Sequence, residues 1–192
     1  MWAVYNVAVV GDKQHRPQFR TIDRRLERQL RAILHNLPPL HGAAILVRRS
    51  PGLRDRRGAV HAGSFLRERR IALACPAAEL PRIFVHELFH FVWLRAGNGR
   101  RHSYERLLSA ECRAGARGEL GWSAEWRRIA LTAGDLRARS RRWREYCCES
   151  FCDTAAWLYS GLKEHPEFTL QRRFRHARRS WFATFVNGGL SI

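Results

Sequence analysis

The sequence feature that most constrains the fold is an apolar stretch from Ile83 to Trp93 that contains the pattern His-Glu-x-x-His. Its only polar members are His86, Glu87 and His90, which fits a helix buried through the middle of a domain. Residues four apart share a face of a helix, so the two imidazoles would lie side by side. A chain that buries these groups must give them partners, because unpaired buried polar groups are costly.

The pattern has the residue types of a hydrolytic zinc site. Two neutral imidazoles at this spacing suit Zn²⁺, and the adjacent glutamate would lie beside the metal rather than bind it. There Glu87 could accept a proton from zinc-bound water, whose pKa the metal lowers to about 7. The alternative is a buried helix whose histidines are only hydrogen-bonded core residues. The sequence favours the metal site, because Glu87 would otherwise be buried without a partner.

A zinc site that keeps one position open for water needs a third protein ligand. The longer metzincin pattern, His-Glu-x-x-His-x-x-Gly-x-x-His, is excluded because Trp93 and Ala96 stand where its glycine and last histidine would be. Gluzincins instead supply a glutamate from a later helix, often within Glu-x-x-x-Asp. Glu149 and Asp153 form such a pair, and their spacing places both side chains on one helical face.

The chain therefore resembles a small gluzincin, a zinc metallopeptidase of the zincin clan, over its two motif stretches. The resemblance implies that Zn²⁺ is bound by His86, His90 and Glu149. It also implies that Glu87 is the catalytic base and that Asp153 hydrogen-bonds the outer nitrogen of a ligand histidine. The expected reaction is hydrolysis of a bond in a peptide or protein substrate.

The sequence leaves alternatives open for the third ligand. Glu149 follows His90 at a longer distance than the short spacer of thermolysin-like enzymes. Glu111 and Glu105 lie closer to that shorter spacing, but neither is followed by an aspartate four residues later. Glu149 is therefore preferred, and Glu111 is the next choice.

Tyr146 is a second catalytic candidate. It lies three residues before Glu149 and would share its face, where the hydroxyl could donate a hydrogen bond to a developing oxyanion. Simple packing is the common alternative for such a tyrosine. Other possible donors to the transition state, for which a surface position is the default, are His102, His165 and His176.

Two cysteines flank the predicted glutamate ligand. Cys148 and Cys152 are four residues apart, so they would share a helical face. Such a pair could bind a soft metal or form a redox pair. The simpler interpretation is that they are buried thiols acting as small apolar side chains.

The pattern of elements predicts an α+β fold in a single domain over residues 1–192, and the resemblance implies that this domain is zincin-like. An N-terminal α/β part of about 1–97 precedes a mostly helical part of about 98–192 that carries the third ligand. By the resemblance, a small mixed or antiparallel sheet packs on the active-site helix, and the strand over 70–75 binds extended peptide as an edge. The predicted strands cover 2–10, 43–47, 58–65 and 71–75, and the other predicted helices cover 22–36, 104–112, 141–160 and 170–186.

The net charge of +18 comes almost entirely from arginine. Such a charge would attract nucleic acid or acidic peptides, although it could equally belong to a solvated surface. The alternative function is therefore a catalytically inactive or regulatory zincin scaffold that binds nucleic acid or protein–DNA complexes. No apolar run reaches the length of about 20 residues that a membrane span needs. Five cysteines without a regular framework predict reduced thiols in a cytoplasmic protein.

Overall fold

The computed structural model describes residues 4–7, 18–56 and 58–192 and shows helices together with a mixed sheet. The predicted α+β class is therefore confirmed. The predicted first strand over residues 2–10 lies partly outside the described residues, and its described part contains β1. The strands are β1 (Tyr5–Val7), β2 (Phe19–Thr21), β3 (Leu40–His41), β4 (Ile45–Arg49), β5 (Arg54–Asp55), β6 (Gly58–Ala59), β7 (Ala62–Phe65), β8 (Arg70–Leu73) and β9 (Leu190–Ser191).

Five strands form the main sheet in the order β1-β2-β4-β8-β7. The two outer pairs, β1 with β2 and β7 with β8, are antiparallel, and the inner pairs are parallel. Ile45, Val47 and Ile71 are fully buried, whereas Leu46 is exposed, so β4 shows the alternation of a strand with one covered face. The strand over 70–75 is therefore internal, and the prediction that it is the peptide-binding edge is wrong. The edge strand on this side of the sheet is β7.

The helices in the described part of the chain are α1 (Arg24–Leu34), α2 (Leu80–Arg95), α3 (Gly97–Arg113), α4 (Trp122–Ile129), α5 (Ala133–Ala138), α6 (Arg141–Tyr159) and α7 (Arg172–Phe185). The Asp23 carboxylate caps α1 by accepting the N–H groups of Arg25 and Leu26. The Ser140 hydroxyl caps α6 by accepting the N–H of Trp143. Both caps stand where the sequence pattern predicts that a helix begins.

The glycines after α2 end that helix, as the sequence predicts. The sequence suggests that Gly97-Asn98-Gly99 ends the helix that carries His86 and His90. Helix α2 ends at Arg95, and the next helix, α3, begins at Gly97, with only Ala96 between them. Gly97 has a φ of +70°, a conformation that L side chains rarely adopt, so it redirects the chain within one residue. The stretch over 115–126, whose glycines suggest a loop, contains the start of α4, and the stretch over 126–131, to which the sequence assigns no element, contains its end.

Helix α2 lies at the centre of the fold, in contact with β7, β8 and α6. Because it is covered on several sides, Phe84, Leu88 and Phe89 are all fully buried. Phe89 and Phe151 lie 5.8 Å apart between ring centroids, which joins α2 to α6. Phe182 of α7 stacks on Phe151 at 5.0 Å, so the last helix completes the same core. Among the described residues, no helix is long and apolar enough to cross a membrane.

Candidate metal centre

Three side chains converge between α2 and α6. His86, His90 and Glu149 each offer a ligand atom, and these atoms all lie within 4.8 Å of one another. The group lines an open cleft of about 480 Å³. Residues four apart on α2 supply the imidazoles, and packing of α6 against α2 brings the carboxylate to them. These residues form a group that could hold a metal ion.

Asp153 fixes the orientation of His86. One carboxylate oxygen of Asp153 lies 2.7 Å from His86 Nδ1, and the other accepts the backbone N–H of Ala124 at 2.9 Å. A carboxylate can only accept, so Nδ1 donates its proton to Asp153, and Nε2, which faces Glu149, is the nitrogen that could bind a metal in place of a proton. Ala124 belongs to the first turn of α4, whose free N–H groups favour a negative charge. This helix therefore holds the carboxylate that holds the imidazole.

Gly121 makes this arrangement possible. It lies directly before α4, and a Cβ atom placed there would lie 2.2 Å from the carboxylate carbon of Asp153. Real Cβ atoms essentially never approach another heavy atom this closely, so any larger residue would displace the carboxylate. The absence of a side chain at Gly121 lets the start of α4 approach Asp153.

Glu149 lies between a histidine and an arginine. Its Oε2 is 3.3 Å from His86 Nε2, and its Oε1 is 3.1 Å from the guanidinium of Arg127 on α4. Burial acts to raise the pKa of Glu149, but the hydrogen bond with His86 and the charges of His90, His86 and Arg127 lower it to about 2. Glu149 is therefore a carboxylate at neutral pH, which is the form that binds cations.

Glu87 borders the same cleft and contacts the edge strand. The hydroxyl of Ser64 on β7 lies 2.6 Å from Glu87 Oε2 and 2.7 Å from the main-chain oxygen of Glu87. One hydroxyl proton can serve only one of these acceptors at a time. The contact therefore holds the Glu87 side chain toward β7 while the carboxylate keeps free acceptor sites.

His90 has a different environment from His86. Its Nδ1 lies 3.5 Å from the sulfur of Cys148 and 3.5 Å from the sulfur of Cys152. His90 and the two cysteines form a second group whose ligand atoms all lie within 4.8 Å of one another. A hydrogen bond from Cys152 and the neighbouring His90 lower the pKa of Cys148 to about 6, against the opposing effect of burial. Burial raises the pKa of Cys152, so Cys148 is the thiol of the pair that loses its proton more readily.

Tyr146 lies away from the cleft, and its predicted role as an oxyanion donor does not fit this position. Its side chain is 1% exposed, and its hydroxyl donates to Glu119 at 2.6 Å. Tyr146 is only three residues from Glu149, but the two side chains leave α6 in different directions. The Tyr146 ring therefore enters a different buried region. The alternative ligands are also occupied, since Glu111 pairs with Arg178 and Glu105 pairs with Arg139.

The region that receives Tyr146 is a buried ionic cluster. Arg178 is fully buried and donates to the carboxylates of Glu111 and Glu119, with shortest distances of 2.7 and 2.6 Å. One cation thus lies between two buried acids, and its charge opposes the effect of burial on Glu111. Such a cluster keeps its buried charges paired and gives Glu111 a structural role.

None of the three other histidines predicted as possible transition-state donors lines the cleft. His165 lies 3.2 Å from a carboxylate oxygen of Glu79, and His176 is exposed. His102 borders a separate depression beside α5. His61, just before β7, is instead the further histidine at the cleft. Sequence patterns give no sign of His61, Ser64 or Arg127, because each reaches the site through a tertiary contact.

The comparisons with known proteins identify no relative. No protein-family model matches the chain. No curated protein and no solved structure matches it significantly. What the site does must therefore be argued from its own residues.

Proposed function

We propose that the protein is a zinc-dependent, gluzincin-like peptidase. The observation that carries the proposal is the convergence of His86, His90 and Glu149 at the wall of an open cleft. Two imidazoles and one carboxylate form a donor set typical of catalytic zinc sites, which keep a further position open. Oxygen-preferring ions such as Mg²⁺ and Ca²⁺ do not suit two nitrogen ligands.

Zinc would supply Lewis acidity, which lowers the pKa of water and polarises a carbonyl group. Glu87 is adjacent in sequence to His86 and lines the cleft, which supports a role as the base that would accept a proton from the attacking water and return it to the leaving amine. Ser64 restrains that carboxylate, and Asp153 contacts Nδ1 of His86, which supports Nε2 as the metal-binding nitrogen.

The edge strand supports a peptide as the substrate. β7 is the last strand in the sheet order, and Ala62 at its start lines the cleft. An extended peptide can add to a sheet edge through main-chain hydrogen bonds. A peptide beside the start of β7 would therefore share the cleft with the two imidazoles. The resemblance suggests an edge strand in this role, and β7 replaces the strand over 70–75 as that strand.

Metal content tests the proposed ligand set. We expect one zinc ion per chain in the purified protein, measured by native mass spectrometry, and strongly reduced zinc in Glu149→Ala. Glu145→Ala is the matched control, because Glu145 lies one helical turn earlier on α6, is exposed and pairs with Arg141. Equal zinc loss in both variants would remove Glu149 from the site. Iron in place of zinc would overturn the assignment, since the same donor set binds iron in oxygenases.

Glu87→Gln tests the proposed chemistry. The amide has the same shape as the carboxylate but cannot accept the proton, so we expect the variant to keep zinc and lose about 10²–10⁴-fold in cleavage rate. Cleavage of a peptide library, followed by mass spectrometry, measures the rate. Glu68→Gln, at an exposed carboxylate, is the control. Full activity in Glu87→Gln, or no cleavage by the zinc-loaded wild-type protein, would refute the peptidase.

A second candidate function, nucleic-acid binding, is favoured by the surface of α1. Arg24, Arg28 and Arg31 recur at helical spacing and are all exposed. Such a row can contact phosphates in a sequence-independent way. We expect a double variant, Arg24→Ala with Arg28→Ala, to reduce the salt dependence of binding to a DNA duplex. Wild-type binding that vanishes at physiological salt would exclude this function.

A further inference from the structure

A second set of metal donors lies next to the proposed zinc ligands. The sulfur atoms of Cys148 and Cys152 each lie 3.5 Å from His90 Nδ1. All three donor atoms fall within 4.8 Å of one another. Cys152 is fully buried, while Cys148 and His90 are only partly buried. The group is therefore mostly protected, while Cys148 and His90 keep some contact with solvent.

This arrangement differs from ordinary buried thiols. A thiol that acts as a small apolar residue has no need of a nitrogen acceptor between it and its neighbour. Here two sulfurs on one face of α6 point at the same ring nitrogen on α2. The remaining cysteines in the described structure, Cys75, Cys112 and Cys147, belong to neither of the two groups of possible metal ligands found there.

We propose that Cys148, Cys152 and His90 bind a thiophilic metal ion that competes with the first site for His90. This regulation rests on the proposed function, because it concerns a ligand of the catalytic metal. Two thiolates and an imidazole favour ions such as Cu⁺ and Cd²⁺, and they disfavour Mg²⁺, Ca²⁺ and Mn²⁺. The site would make the enzyme sensitive to soft metals.

The competition follows from the chemistry of one imidazole ring. A neutral imidazole has one lone pair for a metal and one N–H. When the thiophilic ion binds, the two thiols release their protons to solvent, two metal–sulfur bonds form, and Nδ1 donates its lone pair. The ring proton then lies on Nε2, which can no longer bind a metal. Occupation of the thiol site therefore removes one of the three ligands of the first site.

Cadmium titration of the reduced protein, after removal of other metals with a chelator, tests the proposal. We expect one cadmium ion per chain to produce thiolate-to-cadmium ultraviolet absorbance. The double variant Cys148→Ala with Cys152→Ala should lose this absorbance. The single variant Cys148→Ala should weaken the absorbance. Because Cys148 is only partly buried, this substitution should leave the protein folded. Cys112→Ser, at another partly exposed cysteine, is the control and should bind as the wild type does.

The same samples separate this inference from the proposed function. Glu149→Ala should keep the cadmium absorbance although it loses zinc. Cadmium should release zinc from the wild-type protein at lower concentration than from the double cysteine variant. No absorbance in the wild type, or equal absorbance in the double variant, would overturn the thiol site and leave the peptidase intact. Zinc retained by Glu149→Ala but lost from the cysteine variant would overturn the peptidase and leave a thiol metal site.

Discussion

The two histidines of the cleft are held by different chemistry. His86 contacts a carboxylate, Asp153, which is 2% exposed and is itself fixed by the start of α4. His90 contacts two sulfur atoms at the longer distance of 3.5 Å. Both sets of partners come from α6, where one pair of residues four apart serves each ring. One helix, α6, thus supplies both sets of partners. We call Asp153 the carboxylate support of His86, and Cys148 with Cys152 the thiol support of His90.

The two histidines should therefore differ in how firmly their rings are held. A carboxylate that accepts two short hydrogen bonds at a buried position has no alternative arrangement available without leaving a donor unpaired. Thiols are weaker hydrogen-bonding groups, and they can also bind soft metals. We expect the His86 side to determine whether the metal site forms, and the His90 side to determine how the site responds to its surroundings.

Among the partners of the two histidines, Asp153 should have the largest effect on zinc affinity. Asp153→Ala frees the His86 ring and leaves the Ala124 N–H without its acceptor, so we expect zinc affinity to fall by about 10–100-fold. Competition with a chromophoric chelator measures the affinity. Asp153→Asn, which preserves the shape, should lose less. Zinc binding of wild-type strength in Asp153→Ala would show that the carboxylate does not support the site.

A smaller effect on zinc affinity is expected from Gly121, which lets α4 approach Asp153 closely. Gly121→Ala places a methyl group against the Asp153 carboxylate, so we expect the carboxylate to shift and zinc affinity to fall by about tenfold. Gly99→Ala is the matched control, because a Cβ atom at Gly99 meets nothing within 4 Å. If both variants bind zinc equally well, the close approach of α4 has no role in metal binding.

Loss of the thiol support should have the smallest effect on zinc affinity. Cys148→Ala removes one weak partner of His90, so we expect zinc affinity to fall by about fivefold or less, which corresponds to the usual net value of one hydrogen bond. The same chelator assay measures it. A larger loss than in Asp153→Ala would reverse the order of the two supports.

Tyr146 belongs to neither the carboxylate support nor the thiol support, so its removal should affect stability and not zinc binding. Tyr146→Phe removes a donor from buried Glu119, so we expect the free energy of unfolding to fall by about 1–3 kcal/mol with zinc affinity unchanged. Urea denaturation measures the stability, with Tyr159→Phe at a partly buried tyrosine as the control. Lost cleavage activity in a folded, zinc-loaded Tyr146→Phe would restore a catalytic role.

Local spacing determined how much of the site could be predicted from the sequence. The pairs on α2 and α6 are recognisable because residues four apart share a helical face, whatever the rest of the fold does. The contact between Asp153 and a ring nitrogen of His86 was also expected, by the resemblance. The position of Tyr146 could not be predicted, because a spacing of three allows a different direction around α6, and the distant acceptor Glu119 cannot be identified from sequence patterns.

The fold was predictable to a similar extent. Amphipathic spacing located α1, α6 and α7 to within a few residues, because their buried faces repeat with the helical period. The order of the strands could not be derived, so the identity of the edge was wrong. Sheet order depends on contacts between distant segments, which composition and periodicity do not encode. Helix α4 was missed because its glycine-rich approach resembles a loop.

The buried Arg178 makes the stability of the rest of the protein depend on its last helix, α7. Its guanidinium, from the last helix, neutralises acids that come from α3 and from the segment before α4. A fragment that stops short of α7 would keep both acids but lose their counterion, and it would also expose the ring of Phe151. Limited proteolysis that removes α7 should therefore abolish cooperative melting of everything that remains, including the cleft itself.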